Sequence, residues 1–157
     1  VLSHYAKEAI DFTGAIFALI LFAPLMAVIA CALILQNGPV IFAHERVGVG
    51  GRKFRCLKFR TMAPDAEHRL NALLASDSAA RDEWERDRKL SRDPRITPLG
   101  KFLRETSLDE LPQVFNVLNG EMSLVGPRPV TESELPKYGD DVAYYLAWCV
   151  QWVVATL

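Results

Sequence analysis

The chain has 157 residues, enough for one domain with at most one appended segment, and its 18 Lys+Arg against 19 Asp+Glu leave a formal net charge of -1. Half of the residues are hydrophobic and 24% are charged, so neither the basic field of a nucleic-acid binder nor the acidic excess of a disordered chain is present. Three cysteines, Cys31, Cys56 and Cys149, with no C-x-x-C pair argue against a disulfide framework or a zinc knuckle and for a reducing compartment.

Between Asp11 and His44 no side chain is charged, and residues 12–35 form a 24-residue apolar run. As a helix at ~1.5 Å per residue it reaches ~36 Å, sufficient for a hydrocarbon layer of roughly 30 Å. It is too long for a cleaved signal peptide, and no small-residue cleavage site precedes a mature domain. Pro24 lies near its centre, where a missing N–H and a steric clash predict two half-helices meeting at a break. A gentle kink there makes a membrane span; a sharp break at Ala23-Pro24 returns the chain to the side it came from. Arg46, Arg52, Lys53, Arg55, Lys58 and Arg60 follow against the single acid Glu45, which places this flank in the cytoplasm and suits it to lipid headgroups or phosphates.

After Asn37-Gly38-Pro39, the β-prone residues 40–47 and the alternating residues 53–61 predict a hairpin joined by a glycine-rich turn at 48–51. That turn lacks the spacing of a phosphate-binding loop. Residues 65–89 read as helix, with Ala66, Leu70, Leu73 and Leu74 on one stripe, a break at Ser76-Asp77-Ser78, and an i,i+4 pair between Arg81 and Glu85. Their alternating charges read as a solvated face.

The stretch 107–120 carries the chemistry. Ser107 with Glu110 fits a capping box, Pro112 is tolerated in a first turn, Leu111, Val114, Phe115 and Leu118 form an apolar stripe, and Gly120 closes the helix. Asp109 and Glu110 then sit in the first turn, where the helix dipole keeps Asp109 ionised and a phosphate can dock. Arg92, Arg95, Lys101 and Arg104 precede this helix, and Arg128 follows it between Pro127 and Pro129, a bracket that aims a guanidinium fork suited to phosphate. Paired carboxylates, several cations and a membrane segment together suit cleavage of a nucleoside diphosphate beside a lipid, one carboxylate attacking phosphorus or holding a divalent cation.

Six stretches, taken together, resemble the bacterial sugar transferase family of monotopic polyprenyl-phosphate phosphoglycosyl transferases: Gly38-Pro-Val-Ile-Phe42, Glu45-Arg-Val-Gly48, Lys58-Phe-Arg-Thr-Met62, Asp93-Pro-Arg-Ile-Thr97, Thr106-Ser-Leu-Asp-Glu-Leu-Pro-Gln113 and Gly120-Glu-Met-Ser-Leu-Val-Gly-Pro-Arg-Pro129. They run in family order across residues 5–146. The resemblance implies transfer of a sugar 1-phosphate from a UDP-sugar to undecaprenyl phosphate with release of UMP, dependence on Mg2+, and a covalent phosphosugar on the aspartate of the Asp-Glu pair. Carried over, Asp109 is the nucleophile and Glu110 its acidic partner, both able to hold the metal, while Lys58, Arg60, Arg104 and Arg128 contact phosphate or nucleotide. It implies an α+β fold at the cytoplasmic face of the bacterial inner membrane: a re-entrant helix over 1–36, then a catalytic domain over 37–146 made of a small hairpin and short amphipathic helices at the membrane surface. Residues 77–90 and 138–142 look most like galactose-1-phosphate transferases of O-antigen and exopolysaccharide pathways. Membrane lipids are an implied partner, nucleic acid is not, and a homodimer is left open.

Two departures from the family pattern stand out. Ala23-Pro24 replaces Ser-Pro, so no hydroxyl is available there for freed backbone carbonyls. After Leu146 the apolar tail 147–157 replaces a basic family segment, which raises a truncated or frameshifted end and the rival reading of an inactive membrane-bound scaffold.

Overall fold

A computed structural model describes residues 2–126, 128–142 and 146; the tail expected to depart from the family lies outside the described residues, as does Pro127 of the proline bracket. Among the described residues the architecture is α+β, with a long apolar helix, a two-stranded antiparallel hairpin and four short α-helices.

Helix α1 (Leu2–Ile34) runs for 33 residues. Its segment Ala6–Ile34 contains an 18-residue window of mean hydropathy 2.8 and is long and apolar enough to cross a membrane. One stripe, Ala15, Leu19, Phe22, Met26, Ile29 and Leu33, recurs every three or four residues and packs on the rest of the chain. Away from that stripe Ile10, Phe17, Ile20, Leu21 and Val28 are each more than half exposed. The expected helix–break–helix over 1–36 instead takes the form of one helical run through Pro24. The proline removes a single N–H, and Phe22 before it and Ile29 and Leu33 after it dock on the same apolar cluster, which holds both halves in register.

Both ends of α1 are tied down. Near its start the Asp11 carboxylate accepts from the Ser123 hydroxyl (2.6 Å), the Leu124 N–H (3.0 Å) and the Lys7 ammonium (3.1 Å). At its end Arg60 donates to the Leu33 and Asn37 carbonyls at 3.2 and 3.3 Å, satisfying acceptors that a helix C-terminus leaves open. Gly38, at φ 142°, makes room for this guanidinium: a Cβ there would lie 1.8 Å from Arg60 Nη1.

Strands β1 (Ile41–Val47) and β2 (Lys53–Phe59) pair with Ile41 opposite Phe59 and Val47 opposite Lys53, as the alternation predicts. Gly50 and Gly51, at φ 63° and 77°, supply the left-handed turn. Helices α2 (Ala66–Ser76) and α3 (Ser78–Asp87) meet at Asp77, whose carboxylate accepts from the Ala79 and Ala80 N–H groups, so the break falls where expected. The Arg81–Glu85 pair does not form. Arg81 donates twice to the Leu74 carbonyl, at 2.9 and 2.6 Å, because a fixed orphan acceptor at the end of α2 outweighs an exposed ion pair of a few tenths of ~1 kcal/mol.

Helix α4 (Pro98–Glu105) starts at Thr97, whose hydroxyl accepts from the Gly100 N–H at 2.9 Å. Its first turn presses on the chain leaving β2, and a Cβ on Gly100 would come within 1.9 Å of the Thr61 carbonyl oxygen. Two leading expectations for 107–120 fail. Ser107 takes a left-handed conformation (φ 55°) without a side-chain cap, the Asp-Glu pair occupies a 3-10 turn (Leu108–Glu110), and α5 spans only Gln113–Leu118. Pro112 is the cause: it has no N–H for the Leu108 carbonyl, so the chain closes three-residue hydrogen bonds instead, from Leu111 to Leu108 and from Phe115 to Pro112. Of the expected stripe, Leu111 and Val114 are buried and Leu118 packs on the core, but Phe115 is left 39% exposed, while Asn116 and Val117 are buried instead. A capping box does form elsewhere, between Thr131 and Glu134 at the head of a 3-10 segment (Glu132–Asp141).

Two consequences can be measured. Gly100→Ala is expected to lower stability by roughly 1–3 kcal/mol in chemical denaturation, the cost of overpacking against backbone that cannot yield. Asp93 is half-buried beside Arg95, which bonds it at 2.7–3.1 Å and lies 4.8 Å from the Trp84 ring centroid. Burial raises the Asp93 pKa, but the Arg95 hydrogen bonds outweigh it and hold the carboxyl below its ordinary value. Its stabilisation is therefore present above the unfolded-state pKa and lost as pH falls through the lower folded-state value. Asp93→Asn is expected to flatten that acid limb of a thermal-melt pH series and cost roughly 1–3 kcal/mol at neutral pH.

Candidate active site

Three elements converge on the Asp-Glu pair. Lys58 projects from β2, the carboxylates come from the 3-10 turn, and Arg104 comes from α4. Lys58 Nζ lies 2.5 Å from Glu110 Oε1 and 4.0 Å from Asp109 Oδ2. Arg104 Nε donates to the Thr61 hydroxyl at 2.8 Å, which holds the guanidinium along the wall of a cavity of about 560 Å³. Lys58, Arg104 and Asp109 form the charged part of that wall; Pro39, Phe42 and Met62 form an apolar part close to the end of α1.

Asp109 is 8% exposed. Burial pushes its carboxyl above the ordinary range, Glu110 adds to the rise, and Lys58 and Arg104 oppose it without cancelling it. The expected cause, a helix dipole acting on Asp109, is corrected: the residue precedes α5 in a 3-10 turn, and desolvation is the largest influence on its carboxyl. A buried carboxylate left short of positive charge, next to a second carboxylate, offers hard oxygen donors suited to a cation that completes its shell with water and substrate phosphate. Among the described residues no set of three or more His, Cys, Asp or Glu converges as a metal cage.

The other expected phosphate contacts separate. Arg60 borders the same cavity, but its guanidinium binds the end of α1. Arg128 lines a second cavity of about 270 Å³ with Glu134, Lys137 and Tyr138. The basic cluster after the apolar run is also partly committed inside the molecule: Arg46 pairs with Glu134 at 3.3 Å, and Lys53 with Glu132 at 2.6 Å and Glu45 at 3.3 Å. Arg95 serves Asp93, and Lys101 pairs with Glu105 at 3.8 Å on the surface. Sequence reasoning missed Thr61 and Asn116. The signal for Asn116 is a polar residue between Val114 and Val117 on a helix covered from two sides.

The geometry has close relatives in sequence. The chain is 51% identical over 144 residues to the undecaprenyl-phosphate galactose phosphotransferase of Salmonella typhimurium, covering 92% of this chain and 30% of that protein. It is 50% identical over 143 residues to the UDP-galactose-lipid carrier transferase of Erwinia amylovora, covering 91% and 30% respectively. It is 44% identical over 142 residues to the exopolysaccharide production protein ExoY of Rhizobium meliloti, covering 90% and 63%. The chain therefore spans about 30% of the first two relatives and less than two thirds of the third. With the bacterial sugar transferase profile matching residues 2–154, nearly its whole length, the chain belongs to the bacterial sugar transferase family.

Proposed function

We propose that this protein transfers a sugar 1-phosphate from a UDP-sugar to undecaprenyl phosphate at the cytoplasmic face of the bacterial inner membrane, an early membrane step of polysaccharide assembly. The observation that carries the reading is the placement of Asp109 beside Glu110, Lys58 and Arg104, at a cavity that Pro39, Phe42 and Met62 also line. Names of relatives support both substrates, and galactose is the favoured sugar on the same ground.

In the first step an Asp109 carboxylate oxygen attacks the sugar-bearing phosphorus. The bond from that phosphorus to the bridging oxygen breaks, and UMP leaves with the electron pair. A phosphate oxygen of undecaprenyl phosphate then attacks the same phosphorus and displaces Asp109, which regains its charge. Lys58 and Arg104 stand where charge on the transferring phosphate is neutralised, and Thr61 orients Arg104. Asp109 and Glu110 would hold Mg2+, which, when bound, neutralises the diphosphate and offsets the buried carboxylate. Pro39, Phe42 and Met62 give isoprenoid carbons an apolar wall.

Membrane placement follows from α1. It docks on the domain from Ala15 to Leu33, ~27 Å of helix at ~1.5 Å per residue, so a perpendicular span would carry the hairpin and α5 into hydrocarbon. A helix lying along the cytoplasmic face of the membrane with both ends on that side, Phe17, Ile20 and Val28 turned to lipid, avoids this cost. Single-cysteine variants near residue 3 and residue 50 are expected to react with an impermeant maleimide from the same face of inverted vesicles; labelling from opposite faces would establish a span.

For the chemistry, incubation with UDP-galactose and Mg2+ in the absence of undecaprenyl phosphate is expected to release UMP in one stoichiometric burst. Mass spectrometry should find a phosphosugar on Asp109. Asp109→Asn is expected to lower the burst by at least ~10³-fold, since an amide is a poor nucleophile. Glu110→Gln slows the burst while leaving an adduct to trap. An adduct on Glu110 reverses the two roles, and normal turnover by Asp109→Asn ends the covalent mechanism.

A further inference from the structure

Asn116 is 1% exposed and sits at the crossing of β2, α5 and the turn that follows α5. Its side-chain amide meets the free edge of β2: Oδ1 accepts from the Leu57 N–H at 3.0 Å and Nδ2 donates to the Arg55 carbonyl at 2.8 Å. The amide thus takes the place that one peptide unit of a third strand would occupy. Nδ2 also donates to Glu121 Oε2 at 2.6 Å, and the Asn116 carbonyl accepts from the N–H groups of Glu121 and Met122 at 2.9 and 3.3 Å. Gly120, at φ 71°, supplies the reversal that brings Glu121 back.

Two of these five hydrogen bonds join β2 to α5, the two elements that flank the charged site, and the other three tie Asn116 to the turn after α5. Leu57 immediately precedes Lys58, and α5 begins three residues after Glu110. We propose that Asn116 is the positioning residue of this site, fixing the β2 edge against α5 so that the Lys58 ammonium stays on the Asp109–Glu110 pair. The proposal rests on the transferase reading only for its kinetic consequence; the placement of Lys58 can be read without turnover. Only a side-chain amide of this length fits. A carboxylate would set oxygen against the Arg55 carbonyl and the Glu121 carboxylate, and a hydroxyl carries one oxygen where the strand edge needs a separate acceptor and donor.

Asn116→Asp conserves volume and the acceptor for Leu57, and removes the donor. In detergent-solubilised full chain, Lys58 acetylation by an amine reagent, mapped by mass spectrometry against exposed Lys101, is expected to rise at least ~5-fold, and to rise likewise in Glu110→Gln, where the ion pair is cut directly. The rate of adduct formation at saturating UDP-galactose is expected to fall ~30- to 100-fold with half-saturation changed less than ~2-fold, the pattern of a misplaced reacting group. Adding Glu121→Gln, which offers a donor to the new carboxylate, should recover part of both effects. Should Asn116→Asp lose cooperative unfolding, Glu121→Gln alone decides: it removes the charged acceptor of Nδ2 and is expected to raise Lys58 acetylation ~2-fold and slow adduct formation ~3-fold. Unchanged Lys58 acetylation in the folded variants overturns the proposal, as does a loss of donor binding with an unchanged maximal rate. An unmodified chain that forms no adduct defeats the transferase reading, while Lys58 acetylation still decides whether Asn116 positions the site.

Discussion

α1 is the wall on which both apolar clusters are built. Phe54, Cys56, Val114 and Val117 pack on it around Ala15, and Phe59, Leu103 and Leu111 pack on it around Ile29 and Leu33; Met26 touches both groups. The hairpin, α4 and α5 are too short to bury a face against one another alone, so their mutual placement depends on a helix whose remaining surface is apolar and open. A segment that looks like a separable membrane anchor is therefore an integral part of the domain's core. Arg60 and Asp11 lock it at either end, and the same locks reach toward the site, since Arg60 borders the large cavity and Ser123-Leu124 leads into the Arg128 segment.

Charge is distributed by the same logic. Cations that a linear reading groups as one phosphate-binding patch are divided by the fold into a set committed to structural pairs and a set that lines the cavity beside Asp109. Arg46, Lys53, Arg60 and Arg95 satisfy carboxylates or helix-end carbonyls. Lys58 and Arg104 face the buried Asp109, whose carboxyl is pushed upward by desolvation despite them. A site that keeps an incompletely compensated carboxylate gives up stability, an arrangement common at functional centres.

Much of this was legible along the chain. The apolar run, the hairpin with its glycine turn, the break at Asp77 and the Asp109-Glu110 pair all depend on contacts within a few residues, where periodicity and turn chemistry are direct physical causes. Those readings needed no partner. The roles of Arg60 and Asn116 were not readable, because each is defined by acceptors or donors 23 to 61 residues away.

The state of Asp109 marks the same boundary. Its neighbours in sequence imply a helix cap and a favourable dipole, yet Pro112 converts the turn to 3-10 and the packing of α4, β2 and α5 removes the carboxyl from water. Local propensity names the residue types and their order, while solvation, ion pairing and distance arise only when separate segments close on one another. The acidic pair was therefore present in the sequence as chemistry, and became an electrostatic site through the burial that long-range contacts impose.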